Sequence, residues 1–238
     1  FEKAAQLFEK SGYKNLIKLT TAAHLEGFYY RPRIDKNLLR QYSSGLIGLS
    51  GCLGGEVSRA LLSNNFEKAK KSALQYQEIF GKGNFYLEVQ QHLHLEEQNI
   101  VTAQMVKLSA ETGIPMVATQ DSHYLRPEDA QAHDVLLAVQ TGSQVDDKDR
   151  LTLRNDDFSL LSPEKMGEKF AEIPGAVNNS ILIADRCNVE IDMGKTHLPP
   201  FSLPAGYSTD GYLRELCLEG INKRYNQNLE EKAIQRLD

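Results

Sequence analysis

Apolar positions recur at helical spacing in "EKAAQLFEK" and in "YKNLIKLTTAAHLE", which predicts two helices broken at Ser11-Gly12. In "GFYYRPRID" the period disappears, and the aromatic-rich stretch around Pro32 reads as an extended link. The short apolar run "GLIGLS", residues 45–50, predicts a strand, and "GCLGGE" after it a glycine-rich turn. Helices are predicted over 55–63 and 66–80, the second carrying Lys68, Lys70 and Lys71 on a charged face. "NFYLEVQ", 84–90, alternates and predicts a second strand. A long amphipathic helix is predicted over 95–112, stopped by Gly113. "IPMVATQ" is a third strand, and 127–140 another helix. Strands and helices thus alternate from 45 to 142, the pattern of a parallel α/β sheet or barrel.

The pattern changes near residue 143. "GSQVDDKDRL" is polar and acidic, a linker or exposed loop. "FSLLSPEKMGEKF" predicts a short strand, then a helix with Ser162 as its cap and Pro163 in its first position. "AVNNSILIADRCNVEID" predicts a helix, "HLPPFSLPAGY" an extended connector, and "STDGYLRELCLEGINKRY" a helix capped by Ser208 or Thr209. A last helix is predicted from 229.

Composition narrows the class. With 238 residues, 41% apolar and 25% charged, the chain can build a core, so wholesale disorder is not expected. A net charge of −5 argues against a surface that coats nucleic acid and leaves room for a local basic patch. No apolar run approaches a membrane span, and the charged start is unlike a signal peptide. Cys52, Cys187 and Cys217 are far apart and form no CxxC pair, which fits a reducing, cytoplasmic setting.

Each predicted strand is followed at once by residues able to bind a metal: Cys52 after the first, His92 and His94 after the second, Asp121 and His123 after the third. In parallel α/β folds the C-terminal strand ends converge on one rim, where active sites are built. If strand geometry continues, Asp121 and His123 point to the same side. Thiolate, carboxylate and imidazole together suit zinc, and the latter two also suit manganese or iron. Such an ion lowers the pKa of bound water and polarises a phosphoryl group. Each piece also has a plainer reading. Asp121 or Ser122 can serve a turn or a helix cap. Cys52 can be a small filler, and His92 and His94 can simply face solvent. Glu88 alternates with Leu87 and Val89, so it faces opposite them, into a barrel or out to water. Arg31 and Arg33, beside Phe28, Tyr29 and Tyr30, can stack and pair with phosphates, or the rings can pack under a loop. No Walker loop, GxSxG elbow or HExxH motif is present.

The segments "GYKNLIKL", "EGFYYRPRID", "GLIGLSGCLGGEV", "FYLEVQ", "VATQDSHYLRPEDAQAHDVLLAVQTG", "ADRCNVEI", "YLRELCLEGINKRY" and "EEKAIQRLD" together resemble the alpha-subunit family of bacterial DNA polymerase III, the C-family replicative polymerases. The resemblance runs from about Gly12 to the end. It implies a partial, distorted β/α barrel of the polymerase-and-histidinol-phosphatase (PHP) type over 1–145. A mainly helical region over 146–238 would lead to the polymerase palm. It implies metal ligands at Cys52, Asp121 and His123, with Gln120 standing where many relatives carry Asn. Glu88 and His92 are weaker candidates, and Arg31 and Arg33 are candidates for nucleic-acid contact. Zinc, manganese or magnesium at the PHP site, magnesium for polymerisation, DNA and nucleotides, and a proofreading exonuclease subunit follow as expectations for the parent. The family's N-terminal PHP motifs are absent and Glu2 stands where relatives carry a histidine, so "FEKAAQLFEKSG" is expected to depart from the family and the chain to be an internal fragment. The polymerase aspartates are expected elsewhere in the parent, so no catalytic residue is assigned here and the fragment is expected to be inactive. A half-barrel must take strands from another chain or form a small open sheet capped by helices. In the parent the PHP module is expected to give structural support and, where metals are kept, phosphoesterase or 3′–5′ exonuclease action. Two alternatives are a stand-alone PHP phosphoesterase acting on a small phosphate ester and a non-catalytic replisome interaction module.

Overall fold

The structure, a computed structural model, describes residues 11–92, 94–173, 175–190, 193–194, 196, 198–199, 201–225 and 234–237. By compactness the chain divides into two units, Phe1–Glu190 and Ile191–Asp238.

In the first unit, helices α1 (Tyr13–Leu25) and α2 (Lys36–Tyr42) precede strand β1 (Gly48–Leu49). Helices α3 (Glu56–Leu62) and α4 (Phe66–Phe80) lead to β2 (Phe85–Val89). Helix α5 (Glu96–Thr112) leads to β3 (Met116–Ala118). A 3-10 turn, Pro127–Asp129, opens α6 (Ala130–Thr141), and α7 (Pro163–Lys169) and α8 (Ala176–Arg186) complete the unit. The three strands form one parallel sheet in the order β1-β2-β3, with Gly48 opposite Phe85 and Leu87 opposite Met116. Among the described residues the sheet stays open. The alternation predicted between 45 and 142 is therefore realised as a small α/β sheet capped by helices.

Local chemistry sets the element ends. Asp35 caps α2 by accepting from the Leu38 amide at 2.8 Å, and Asn65 caps α4 by accepting from Lys68 at 3.0 Å. Gly113 ends α5 in the left-handed region at φ 68°, where an L side chain is disfavoured. The core joins the inward residues of β2, Phe85, Leu87 and Val89, to Val57, Leu61, Met105 and Leu108 from the helices and to Phe170 after α7. Full burial of each large apolar side chain contributes about 1.5–3 kcal/mol. Tyr86, Glu88 and Gln90 alternate onto the other face.

Residues 146–190, expected to lead away from the barrel, pack with this first unit. The Asn179 amide donates to the Met116 carbonyl, and Arg186 donates to the Gly83 carbonyl at 2.8 Å. The short strand expected near 158 is a single parallel bridge, Tyr124 to Ser159. Helix α2 has no counterpart among the predicted elements. Helix α8 stops at Arg186, short of the predicted 192, because Cys187 leaves the helical region at ψ 88° and Asn188-Val189 are poor helix formers. The predicted helices at the N-terminus and from 229 lie wholly or largely outside the described residues.

In the second unit, α9 (Thr209–Tyr225) is capped by Ser208, whose hydroxyl accepts from the Gly211 amide at 3.2 Å. Tyr212 packs edge-on against Tyr207 and stacks with Phe201.

Candidate functional site

The C-terminal ends of β2 and β3 carry a polar cluster. The Thr119 amide extends the β2–β3 pairing by donating to the Val89 carbonyl at 3.1 Å. Glu88, half-buried, accepts from the Thr119 hydroxyl at 2.6 Å and from the Gln90 amide at 3.5 Å. It is engaged across the sheet rather than aimed at solvent. Gln120 is buried and donates to the Asp157 carbonyl at 2.9 Å, while its own carbonyl oxygen accepts from Lys169 Nζ at 2.7 Å.

Asp121 breaks the strand. Its φ of 57° is left-handed, a conformation that Asp tolerates better than most residues. Extended geometry therefore does not run on to residue 123, and the same-side argument from strand alternation does not apply. The two side chains meet all the same: Asp121 Oδ1 lies 3.4 Å from His123 Nε2. The His123 amide donates to the Phe158 carbonyl at 2.9 Å, and its ring stands edge-on to both Phe158 and His133.

His92 shares the Phe158 ring with His123. Its side chain is 2% exposed and stacked on Phe158, with ring centroids 4.2 Å apart. Neither ring nitrogen has a hydrogen-bond partner; the nearest carboxylate oxygen, Asp156 Oδ1, is 3.8 Å from Nδ1. Burial pushes the His92 pKa below its ordinary value and Lys169 adds to this, against the opposing pull of Asp156 and Asp121. Burial likewise lowers the Lys169 pKa, against Asp156 and Asp157. The solvent exposure considered for His92 is corrected: the stack on Phe158 removes the ring from water.

Cys52 does not join the cluster. It follows Gly51, which sits at φ 79°, in the turn before α3, and its thiol is exposed. Among the described residues no three His, Cys, Asp or Glu side chains are placed to hold one metal ion. Asp121 and His123 provide one oxygen and one nitrogen donor. A catalytic zinc takes at least three protein ligands, so these residues do not by themselves fit a metal centre. Arg31 and Arg33 lie apart from the cluster, on the exposed link between α1 and α2.

Sequence reasoning did not find His133, Asp156 and Lys169. His133 falls on a helix predicted without regard to which face meets the rim. Asp156 and Lys169 come from a stretch assigned to linker and extension. The acidic "NDDF" before an apolar residue was the available sign of a structured turn.

Comparison with known proteins bears on these residues. Residues 2–92 match the PHP domain family, a span that contains Cys52, Glu88 and His92 and stops short of Asp121 and His123. It begins at residue 2, so the N-terminal segment expected to depart from the family lies largely inside the match. The chain is 44% identical over 227 residues to DNA polymerase III subunit alpha of Borreliella burgdorferi, covering 94% of this chain and 20% of that protein. The same subunit of Helicobacter pylori is 42% identical over 228 residues, covering 91% of this chain and 18% of that protein. For Thermus aquaticus the identity is 39% over 227 residues, covering 93% and 18%. The chain thus spans about one fifth of the length of the curated relatives it matches. With similarity sustained well past the PHP match, the chain resembles about one fifth of DNA polymerase III alpha subunits over nearly its whole length, and its residues 2–92 match the PHP domain family.

Proposed function

We propose that this chain is part of the catalytic alpha subunit of a bacterial replicative DNA polymerase, in which it builds part of the PHP module. Residues 1–145 supply the PHP segment and 146–238 lead toward the palm. The observation that carries this reading is the extent of the similarity: it covers 94% of the chain, well beyond residues 2–92. A small stand-alone phosphoesterase gives no reason for a polymerase subunit's sequence to continue through α9. In the parent, DNA and nucleotides are the substrates of template-directed synthesis, magnesium serves polymerisation, and a proofreading exonuclease is a partner. The setting is the cytoplasm. Among the described residues no helix is long and apolar enough to cross a membrane.

The resemblance offers Asp121, His123 and Cys52 as PHP metal donors; Asp121 and His123 supply an oxygen and a nitrogen side by side, while Cys52 stands apart, Glu88 is bonded to Thr119 and the His92 ring is buried on Phe158. Zinc, manganese or magnesium suits that donor chemistry, and a 3′–5′ exonuclease or phosphoesterase action belongs to the complete module. Two adjoining donors hold an ion poorly without supporting groups. The isolated chain, equilibrated with zinc or manganese and freed of excess, is therefore expected to retain far less than one ion. Stoichiometric binding lost in His123→Ala would show a complete site. The family reading is tested by exchange. The matching segment of the Borreliella burgdorferi subunit is replaced with this chain and primer extension is assayed. Extension is expected to persist, and its loss in a folded chimera overturns the reading.

A further inference from the structure

We propose that the loop 27–33 between α1 and α2 is a stacking platform for single-stranded nucleic acid. The inference stands on the loop alone and does not rest on the rim site. Three consecutive aromatic residues, Phe28, Tyr29 and Tyr30, are 59%, 64% and 82% exposed. The turn that presents them is built. The Tyr29 amide donates to the Arg31 carbonyl at 3.1 Å, closing a tight loop with Tyr30 at its apex. Tyr30 sits at φ 58°, a left-handed conformation that costs a bulky L residue about 1–3 kcal/mol. The loop ends touch: a Cβ on Gly27 would fall 2.0 Å from the Arg33 carbonyl oxygen.

Charge accompanies the rings. The Arg33 guanidinium lies over the Tyr29 ring, 5.2 Å from its centroid, and Tyr29 meets Tyr30 edge-on at 4.6 Å. Arg31 and Arg33 are exposed, and among the described residues neither forms an ion pair. The nearby carboxylate of Asp35 is committed to capping α2.

Rings and arginines together select the occupant. An apolar protein surface would cover the rings and leave two guanidiniums desolvated. An acidic peptide would pair the arginines and leave the rings in water. A single strand uses both, because its bases stack on aromatic faces while its phosphates pair with guanidinium groups. A duplex hides its base faces and can use only the charges. On a chain of net charge −5, attraction through two arginines is local and is expected to be salt-sensitive.

The test is fluorescence anisotropy of the full 238-residue chain with a labelled oligothymidylate of about 12 nucleotides, within the range of known single-strand site sizes. Low-salt binding is expected, with a duplex of equal length bound more weakly. Tyr30→Gly removes the ring and retains the left-handed backbone. That variant and the double variant Arg31→Ala/Arg33→Ala are each expected to weaken binding by roughly tenfold with unchanged circular dichroism. In the double variant the log–log salt slope should fall by about 1.4, or about 0.7 per lost phosphate contact. Lys71→Ala, which removes an exposed cation on α4, should bind as wild type does. The proposal is overturned if wild type binds no single strand, if duplex binds equally well, or if both loop variants bind unchanged. Equally effective displacement by a poly-glutamate peptide would assign the loop to an acidic protein partner and overturn it too.

Discussion

The side-chain amide of Asn179 donates a 2.7 Å hydrogen bond to the main-chain carbonyl of Met116, joining α8 to β3 across 63 residues of sequence. β2 takes its bonds from the Pro115 carbonyl and the Thr119 amide, so Met116 faces the outer side of β3. Asn179 thus occupies part of an edge that would otherwise offer itself to another strand. Asn179→Leu should lower stability by about 1–3 kcal/mol, the cost of leaving that acceptor unpaired. The drop should appear as a lower urea midpoint at unchanged slope. An unchanged midpoint would mean that the edge is satisfied without the amide.

Backbones touch where α1 begins. A Cβ on Gly12 would lie 2.0 Å from the Gly45 carbonyl oxygen, and Gly45 itself sits at φ 76°. Gly167, inside α7, has open space around it. Gly12→Ala should therefore cost about 2–4 kcal/mol through forced displacement of backbone. Gly167→Ala should gain about 0.5–1 kcal/mol by restricting the unfolded chain. Thermal melts of the two variants should move in opposite directions, and equal shifts would contradict the assigned contacts.

Glu56 at the start of α3 accepts from Lys36 at 2.8 Å, Ser72 at 2.8 Å and Tyr76 at 2.9 Å. Burial alone would raise its pKa, but these three hydrogen bonds outweigh burial and hold it below 4.5. The folded state thus binds this proton less readily than the unfolded chain. The associated stability is present above about 4.5 and lost as pH falls through the lower folded value. Tyr76 responds oppositely. Its burial and its bond to Glu56 push its pKa up to about 12, so its share is present below 10 and lost as pH rises through about 12. Glu56→Gln should cost about 1 kcal/mol near neutral pH, limited by the one-third exposure of the carboxylate, with the gap closing at acidic pH as the folded-state carboxylate protonates. Urea titrations at neutral and acidic pH measure this, and a gap independent of pH would assign the effect to packing.

Much of the first unit was legible because it obeys local rules. Alternation in "FYLEV" and the glycine at 113 placed β2 and the end of α5 to within a residue. Asp35 carries the cap signal that begins α2, but the seven-residue helix it starts buries no residue and so leaves no apolar stripe to read. β1 is only two residues long and owes its place to pairing with β2. At the rim, Asp121 and His123 were legible as a candidate pair, although the left-handed turn at Asp121 and not strand alternation accompanies their meeting. Their separation from Cys52 and their neighbours His133, Asp156 and Lys169 were not. Those relations are set by long-range bonds such as Lys169 to Gln120, which no local pattern encodes.

The left-handed turn at Asp121 makes that position unusually informative to a geneticist. Asparagine is nearly isosteric with aspartate and shares its tolerance for this backbone. Asp121→Asn therefore erases the negative charge while leaving the bend intact, whereas alanine would disturb both at once. At this one codon, the electrostatic role of a residue can be separated from its role in shaping the chain.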